Sequence, residues 1–324
     1  MSVRFPHLDT ITQVARAAGL APADPLRQPL AEARQRAWDY QMLWNQPLPE
    51  IGAVTETTTV SPRGTPVRLR IHYPEARQDG LGVLLYFHGG GFALNGVDTH
   101  ERLMRLLARR SGAAVIGVGY TLAPELRFPG QLDEALAAVE WVHTNGAAFG
   151  LDARRLAVGG DSAGANLALS AQLALRDRGA PLPQIGLLFY GMYSADLDSA
   201  SHQLYGGGGF GLTTERVDWF WAQYLADHAQ RDNPAAAPLW ADLSGLPPQL
   251  VIGAGLDCLL DDSLRLAARL SVAGVATTLS VYDEVPHSFM QMSTHLPPAD
   301  DAISEAAATL NAAFGDIRLP LAAE

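Results

Sequence analysis

The alternation of β-rich runs with helix-length segments is the feature that most limits how this chain can fold. Eight runs predict strands, near residues 54–60, 67–73, 82–88, 113–119, 155–160, 185–190, 249–254 and 276–282. The later runs are separated by helical patterns at residues 101–110, 131–144, 165–176, 262–273 and 300–314. Strands joined through helices pair in parallel by right-handed crossovers, whereas the short connection at residues 61–65 between the first two runs predicts an antiparallel hairpin. The pattern therefore predicts an α/β fold with one mostly parallel sheet and helices on both faces.

Two stretches interrupt this alternation. Residues 1–48 predict helices, and residues 191–236 contain a glycine run followed by an aromatic helix. We predict that these stretches form a cap over a sheet domain made of residues 49–190 and 237–324. The glycine run would be mobile, and the aromatic residues would form an apolar wall that excludes water. The alternative is that three aromatic residues simply anchor a surface helix: Trp219, Phe220 and Trp221.

The charge balance and the cysteine content limit the classes of partner. The 324 residues carry a formal net charge of −11, which gives nucleic-acid phosphates and anionic membranes little to attract them, so we expect neither partner. Cys258 is the only cysteine, so no intrachain disulfide and no cysteine-based metal site can form. This favours a reducing compartment. No apolar run has the length of a signal core or a membrane span, so we expect a cytoplasmic protein.

A serine between small residues follows one of the predicted strands. Residues 160–164 read Gly-Asp-Ser-Ala-Gly and lead into an Ala/Leu-rich helix. Small residues on both sides allow a sharp turn that exposes the serine hydroxyl in a strained conformation. The five-residue pattern alone could arise by chance in a chain this rich in alanine and glycine. Its position between a strand and a helix makes Ser162 the candidate nucleophile.

Three consecutive glycines, residues 89–91, follow the strand at 82–88. Their N–H groups are not shielded by side chains, and with the N–H of the residue after the nucleophile they can bind an oxyanion. We predict Gly89, Gly90 and Ala163 as the donors, although which two of the three loop glycines face the oxygen is left open by the sequence. A flexible turn is the alternative, and the spacing does not fit a phosphate cradle. His88 is expected to brace this loop.

A serine nucleophile needs a base to accept its proton and a carboxylate to orient that base. Asp257 directly follows the strand at 249–254, and His287 follows the last predicted strand. Asp261 and Asp262 fall at the start of the next helix, where negative charge is favourable in its own right. Asp161, beside the serine, is expected to be a local hydrogen-bonding or surface acid. Six other histidines are expected to be surface or packing residues: His72, His100, His143, His202, His228 and His295.

With these motifs the chain resembles the hormone-sensitive-lipase-like group of α/β-hydrolases, the bacterial family IV carboxylesterases. The resemblance covers most of residues 80–290 and rests on residues 88–92, 120–125, 160–164, 243–248, 257–261 and 287–289. The order Ser162, Asp257, His287 is also that of the catalytic triad in α/β-hydrolases. The sequence departs from the family pattern at four positions, none of which replaces a catalytic group: Thr121, Ala165, Gly191 and Cys258.

The resemblance implies a function as well as a fold. It implies an eight-stranded sheet with a helical cap, and hydrolysis of short-acyl esters of small molecules through an acyl-enzyme, with no cofactor and no metal. Amides, lactones or carbamates are alternative substrates for the same triad. A non-catalytic ligand receptor on the same fold is a further alternative, against which His287 argues. The last strand would be exposed and would permit homodimerisation by edge pairing.

Overall fold

One eight-stranded sheet organises the part of the chain that the computed structural model describes, residues 5–75 and 79–315. Residues 1–4 of the predicted cap and residues 316–324 of the predicted sheet domain lie outside this part. The strands are β1 (Ala53–Val60), β2 (Pro66–Tyr73), β3 (Leu81–Phe87), β4 (Ala114–Gly119), β5 (Leu151–Asp161), β6 (Ile185–Phe189), β7 (Gln249–Leu256) and β8 (Thr277–Pro286). All eight predicted strands are confirmed.

The sheet order is β1-β2-β4-β3-β5-β6-β7-β8. Strand β2 is antiparallel to both of its neighbours, and the remaining pairs are parallel. The predicted hairpin is therefore confirmed, with Ala53 opposite Tyr73 and Val60 opposite Pro66. Because β3 and β5 to β8 run in the same direction, the loops at their carboxyl ends meet at one edge of the sheet.

Strand β5 is longer than the sequence pattern predicts, since it begins at Leu151 rather than near residue 155. The added residues include Asp152 and Arg154, which lie at least partly in solvent. This part pairs with β3 only where Leu81 lies opposite Leu151, before a register shift. Charged residues hide the β pattern here because the start of the strand projects towards solvent.

Helices cover both faces of the sheet in the described residues. They are α1 (Pro6–Ala17), α2 (Leu30–Trp44), α3 (Glu101–Ser111), α4 (Gly130–Asn145), α5 (Ala163–Asp177), α6 (Ala200–Tyr205), α7 (Thr214–Tyr224), α8 (Leu260–Val272) and α9 (Pro297–Ala313). Side chains alternate across β3: Leu85 and Phe87 belong to a core shared with α4, α5 and α8. Leu84 and Tyr86 belong to a second core shared with α3 and α9. The five predicted crossover helices are all present, and a doubly covered sheet is confirmed.

The two stretches outside the alternation are helical, with α1 and α2 in the first and α6 and α7 in the second. Both ends of the second stretch are held by one buried side chain. Asn166 on α5 donates its amide to the carbonyl of Met192, at 2.8 Å, and to that of Ala236, at 2.9 Å. The stretch therefore leaves the sheet domain and returns to it near a single point. Its role as a cap stays a prediction.

A hydrophobic helix of membrane-spanning length is not found among residues 5–75 and 79–315.

Candidate active site

Ser162 lies in a strained turn between β5 and α5. Its backbone has φ 56° and ψ −120°, which is unusual for a residue with a side chain. A Cβ atom at Gly160 or at Gly164 would collide with the carbonyl oxygen of Phe87. The small residues on both sides of the serine are thus required by the close approach of β3 to the turn. Strain of this kind is typical of functional positions.

Ser162, His287 and Asp257 form one chain of hydrogen bonds. His287 Nδ1 lies 2.6 Å from Asp257 Oδ2, and His287 Nε2 lies 2.9 Å from Ser162 Oγ. With the ring proton on Nδ1, the imidazole donates to the buried carboxylate and Nε2 accepts the serine hydroxyl proton. The structure therefore brings together the three residues that the sequence selects from three strand ends.

The positions of the acid and the base are fixed by their surroundings. The backbone N–H of Leu259 donates to the other oxygen of Asp257, Oδ1, at 3.0 Å. The ring of Tyr190 packs edge-on against the imidazole of His287, with 5.2 Å between centroids. Because the carboxylate is held on both oxygens and the imidazole on its face, the acid and the base have little freedom to turn.

The glycine loop after β3 faces the serine, but its first glycine is not a free donor. The N–H of Gly89 donates to Oδ1 of Asp161 at 2.9 Å. Gly90 and Gly91 line the cavity beside Ser162. Within the described residues, no backbone hydrogen bond is donated by Gly90, Gly91 or Ala163. The prediction of Gly89 as a donor is therefore corrected, because its proton is bonded to Asp161. Of the three loop glycines, Gly90 and Gly91 keep N–H groups without a backbone acceptor among the described residues.

Asp161 anchors this loop from below. It is buried, not a surface acid, and it accepts a hydrogen bond from the Tyr86 hydroxyl at 2.7 Å as well as from Gly89. His100 Nε2 lies 3.3 Å from the same oxygen. Burial alone raises the pKa of Asp161, but the neighbouring His100 and these hydrogen bonds outweigh it and lower the pKa below its ordinary value. The local hydrogen-bonding interpretation is confirmed, while the bond to Gly89 has no signal in the sequence.

His88 braces the same loop, as expected. Its ring stacks on Tyr120 with 4.2 Å between centroids, and its Nδ1 lies 2.9 Å from the carbonyl oxygen of Gly89. Tyr120 also donates its hydroxyl to the carbonyl of His88 at 2.7 Å. Burial lowers the pKa of His88 to about 4, so the ring is neutral near pH 7.

Asp262 does more than start a helix. It lies in the first turn of α8 together with Asp261, as predicted. It is also fully buried and accepts the backbone N–H groups of Tyr193, at 2.7 Å, and Ser194, at 2.9 Å. Burial raises its pKa to about 7. The carboxyl group thus joins α8 to the segment that follows β6, a link across 69 residues of sequence that no local pattern signals.

The nearby thiol of Cys258 is a packing residue. It is buried in the core, and burial raises its pKa above the ordinary value. A reactive thiol needs a partly exposed, electropositive site. Cys258 is therefore a small core residue beside the acid.

A cavity of about 610 Å³ lies over the serine. Its floor contains Gly90, Gly91, Ser162 and His287, and its wall comes from α1, α2, the glycine-rich segment at 208–212 and α7. Phe220 faces the cavity, whereas Trp221 is completely buried, so the aromatic helix both walls the cavity and anchors itself. Among the described residues, no cluster of three His, Cys, Asp or Glu side chains could hold a metal ion.

The comparisons with known proteins agree with this geometry. A family model described as alpha/beta hydrolase fold matches residues 84–291. A hyperthermophilic esterase from the archaeon Pyrobaculum calidifontis is similar, with 32% identity, coverage of 96% of this chain and 99% of that chain, and a TM-score of 0.89. An ester hydrolase from the metagenome of Lake Arreo, complexed with a bipyridine phosphonate derivative, has 33% identity, coverage of 97% and 100%, and a TM-score of 0.89. A thermophilic carboxylesterase cloned from a metagenomic library has 30% identity, coverage of 89% and 99%, and a TM-score of 0.87.

Proposed function

The chain belongs to the hormone-sensitive-lipase-like family of the α/β-hydrolase superfamily, and from this premise we propose that it is a serine carboxylesterase. The observation that carries the proposal is the hydrogen-bonded chain from Asp257 through His287 to Ser162, at the floor of a cavity. The similar solved structures described as esterases support it. The substrate is a small-molecule ester.

In the first half of the reaction, Ser162 Oγ attacks the ester carbonyl carbon while His287 Nε2 accepts the hydroxyl proton. Asp257 keeps the other ring proton on Nδ1 and stabilises the imidazolium that forms. The negative charge that develops on the carbonyl oxygen is bound by the N–H groups of Gly90, Gly91 and Ala163. Collapse of the tetrahedral intermediate breaks the bond to the alcohol oxygen, which takes the proton from His287.

The second half repeats these steps with water. His287 removes a proton from a water molecule as its oxygen attacks the acyl-enzyme, and the same N–H groups bind the oxyanion. Collapse releases the carboxylic acid, and the proton on His287 returns to Ser162. The burial of Asp257 supports this scheme, because a carboxylate removed from water interacts more strongly with the imidazolium.

The nucleophile is tested with Ser162→Ala and a matched control on the same helix. We expect Ser162→Ala to lower kcat on 4-nitrophenyl butyrate by about 10⁶-fold, the scale found when a serine nucleophile is removed. Ser170→Ala removes a buried hydroxyl that donates to Asn166 Oδ1 at 3.3 Å, and it should retain activity. A fluorophosphonate probe should label the wild type at Ser162 and leave Ser162→Ala unlabelled. A folded Ser162→Ala protein with wild-type turnover would refute the assignment.

Amides, lactones and carbamates are the second substrate group that the same machinery could process. Comparing kcat/KM for an ester and an amide with the same acyl group separates the two, and we expect the ester to be strongly preferred. A graded series of acyl lengths tests the proposed preference for short chains. Fast turnover of long acyl chains would contradict that preference while leaving the esterase function intact.

The homodimer and the cytoplasmic location are also proposals. Strand β8 ends the sheet order, and its side chains Leu279 and Val281 are 38% and 37% exposed, which supports pairing of two β8 edges. Analytical ultracentrifugation of the wild type and of a Val281→Lys variant tests it, since a charge on this edge should favour monomers. The single cysteine supports a reducing compartment.

A further inference from the structure

Arg216 on α7 is a charged residue in the cavity wall that the proposed reaction does not use. Its Cζ atom lies 6.0 Å from the ring centroid of Phe220, one helical turn further on. The Phe220 ring in turn packs directly on Gly91, where a Cβ atom would collide with it. The guanidinium is therefore separated from the oxyanion loop by one aromatic ring.

Apart from the Phe220 ring, the guanidinium of Arg216 has no hydrogen-bonding or ionic partner among the described residues. No hydrogen bond or ion pair is made by its side chain, and its Nε is buried without an acceptor. Other partly buried arginines have internal partners: Arg34 contacts Glu125 at 2.6 Å, Arg70 contacts Glu101 at 2.9 Å, and Arg269 donates to the carbonyl of Ala241 at 2.9 Å. The residue is only partly exposed, and a charge removed from much of its water without such a partner is costly, which makes its retention in a cavity wall an indication of a ligand.

Nearby charges do not neutralise Arg216. Burial lowers the pKa of its guanidinium, and the most strongly interacting acid, Asp24, only partly offsets this effect. Asp24 is itself engaged with Arg27 at 2.7 Å. The cavity lining contains a second arginine, Arg16, and its one carboxylate, Asp161, is buried and already hydrogen-bonded. The charge in the cavity lining that no neighbouring group neutralises is therefore positive, although the formal net charge of the whole chain is −11.

We propose that Arg216 determines substrate specificity by binding a carboxylate on the substrate, so that the preferred esters carry a free carboxylate away from the scissile bond. The planar guanidinium fork matches a carboxylate with two parallel hydrogen bonds, and the enclosed wall strengthens them. A wholly neutral ester would leave Arg216 unpaired. This inference rests on the proposed esterase function and names the substrate class that the site prefers.

The wild-type test uses two sets of esters that differ only in their distal group. Monomethyl adipate, the methyl ester of adipamic acid and methyl 6-aminohexanoate place a carboxylate, a carboxamide or an ammonium on the acyl side. 6-Acetoxyhexanoic acid and 6-acetoxyhexanamide place a carboxylate or a carboxamide on the alcohol side. Proton release at constant pH gives kcat and KM for each. We expect kcat/KM for the carboxylate ester of at least one set to exceed that of its carboxamide by about 10- to 100-fold, the range for a hydrogen-bonded charge pair.

The variant test removes the charge and keeps a matched control. Arg216→Gln should abolish this preference, mainly by raising KM for the carboxylate ester far more than KM for the carboxamide ester. Arg216→Lys keeps the charge without the fork and should retain part of the preference. Arg231→Gln removes an arginine that pairs with Asp218 outside the cavity lining, so it changes the net charge equally and should leave the preference intact.

Three outcomes overturn the inference while leaving the esterase function in place. The first is a wild type that is equally fast on carboxylate and carboxamide esters in both sets. The second is an Arg216→Gln variant that retains the preference, and the third is one that slows both esters equally, as loss of a purely structural residue would. If Arg216→Gln does not fold, the wild-type ratio and Arg216→Lys decide. Hydrolysis of none of these esters, nor of 4-nitrophenyl butyrate, would overturn the proposed function itself.

Discussion

The floor and the wall of the cavity are built in different ways. The floor contains Gly90, Gly91, Ser162 and His287 and is supported by Asp161 and Asp257, and the wall comes from α1, α2, residues 208–212 and α7. In the floor, Asp257, His287, Ser162 and Asp161 are joined to partners at 2.6 to 2.9 Å. In the wall, the Arg216 side chain makes no hydrogen bond or ion pair with the described residues, and added Cβ atoms at Gly209 and Gly211 would meet nothing within 4 Å.

This difference separates two tasks. Groups that move protons or bind a developing charge must already be in position, because reorganisation during the reaction would raise the barrier. Groups that recognise a substrate are better left without an internal partner, since the substrate then supplies it. The following predictions test this division.

Replacing Asp257, the carboxylate that orients His287, should have the largest effect among the predictions in this section. We expect Asp257→Asn to lower kcat on 4-nitrophenyl butyrate by about 10⁴-fold, because an amide no longer holds the imidazole in the tautomer that can accept the serine proton. The control is Asp261→Asn, four residues further on, where the carboxylate accepts the N–H of Ser201 at 3.0 Å. Comparable losses in both variants would show that Asp257 has no special role.

A glycine pair tests the contact between floor and wall. At Gly91 φ is 60°, and an added Cβ atom would collide with the Phe220 ring. Gly91→Ala should therefore displace the oxyanion loop and lower kcat by about 10²- to 10³-fold, as loss of one oxyanion donor does. Gly207→Ala introduces the same methyl group into open space and should change kcat by less than about twofold. Full activity of Gly91→Ala would contradict the assigned donor.

The smallest expected effect concerns Asp262, whose bonds to Tyr193 and Ser194 join α8 to the root of the wall segment. Burial raises its pKa to about 7 in the folded protein, above the unfolded value, so its protonated form stabilises the fold. This contribution is complete at low pH and is lost as the pH rises through the folded pKa.

The measurement for Asp262 is the free energy of unfolding in urea at several pH values. The wild type should lose on the order of 2 kcal/mol relative to Asp262→Asn between about pH 5.5 and 8. Parallel pH profiles of the two proteins would contradict the burial effect.

The sequence predicts the floor better than the wall. Ser162, Asp257 and His287 each follow a strand, and parallel strands bring their carboxyl ends to one edge, so the alternation pattern is enough to collect them. The bond between Asp161 and Gly89 spans 72 residues and depends on how two loops pack. Likewise, Arg216 is a polar helix residue like many others until α7 is packed over the serine. Local patterns carry no record of such tertiary contacts.

The amide of Asn166 has a consequence beyond the packing of α5. It donates hydrogen bonds to the carbonyls of Met192 and Ala236, so the segment at residues 192–236 leaves the sheet and rejoins it at one place. The loss of conformational entropy on closing such a loop grows only slowly with the length of the loop. Insertions and deletions at the exposed glycines of this segment should therefore cost little conformational entropy, so the cavity wall can vary in length while the triad keeps its support.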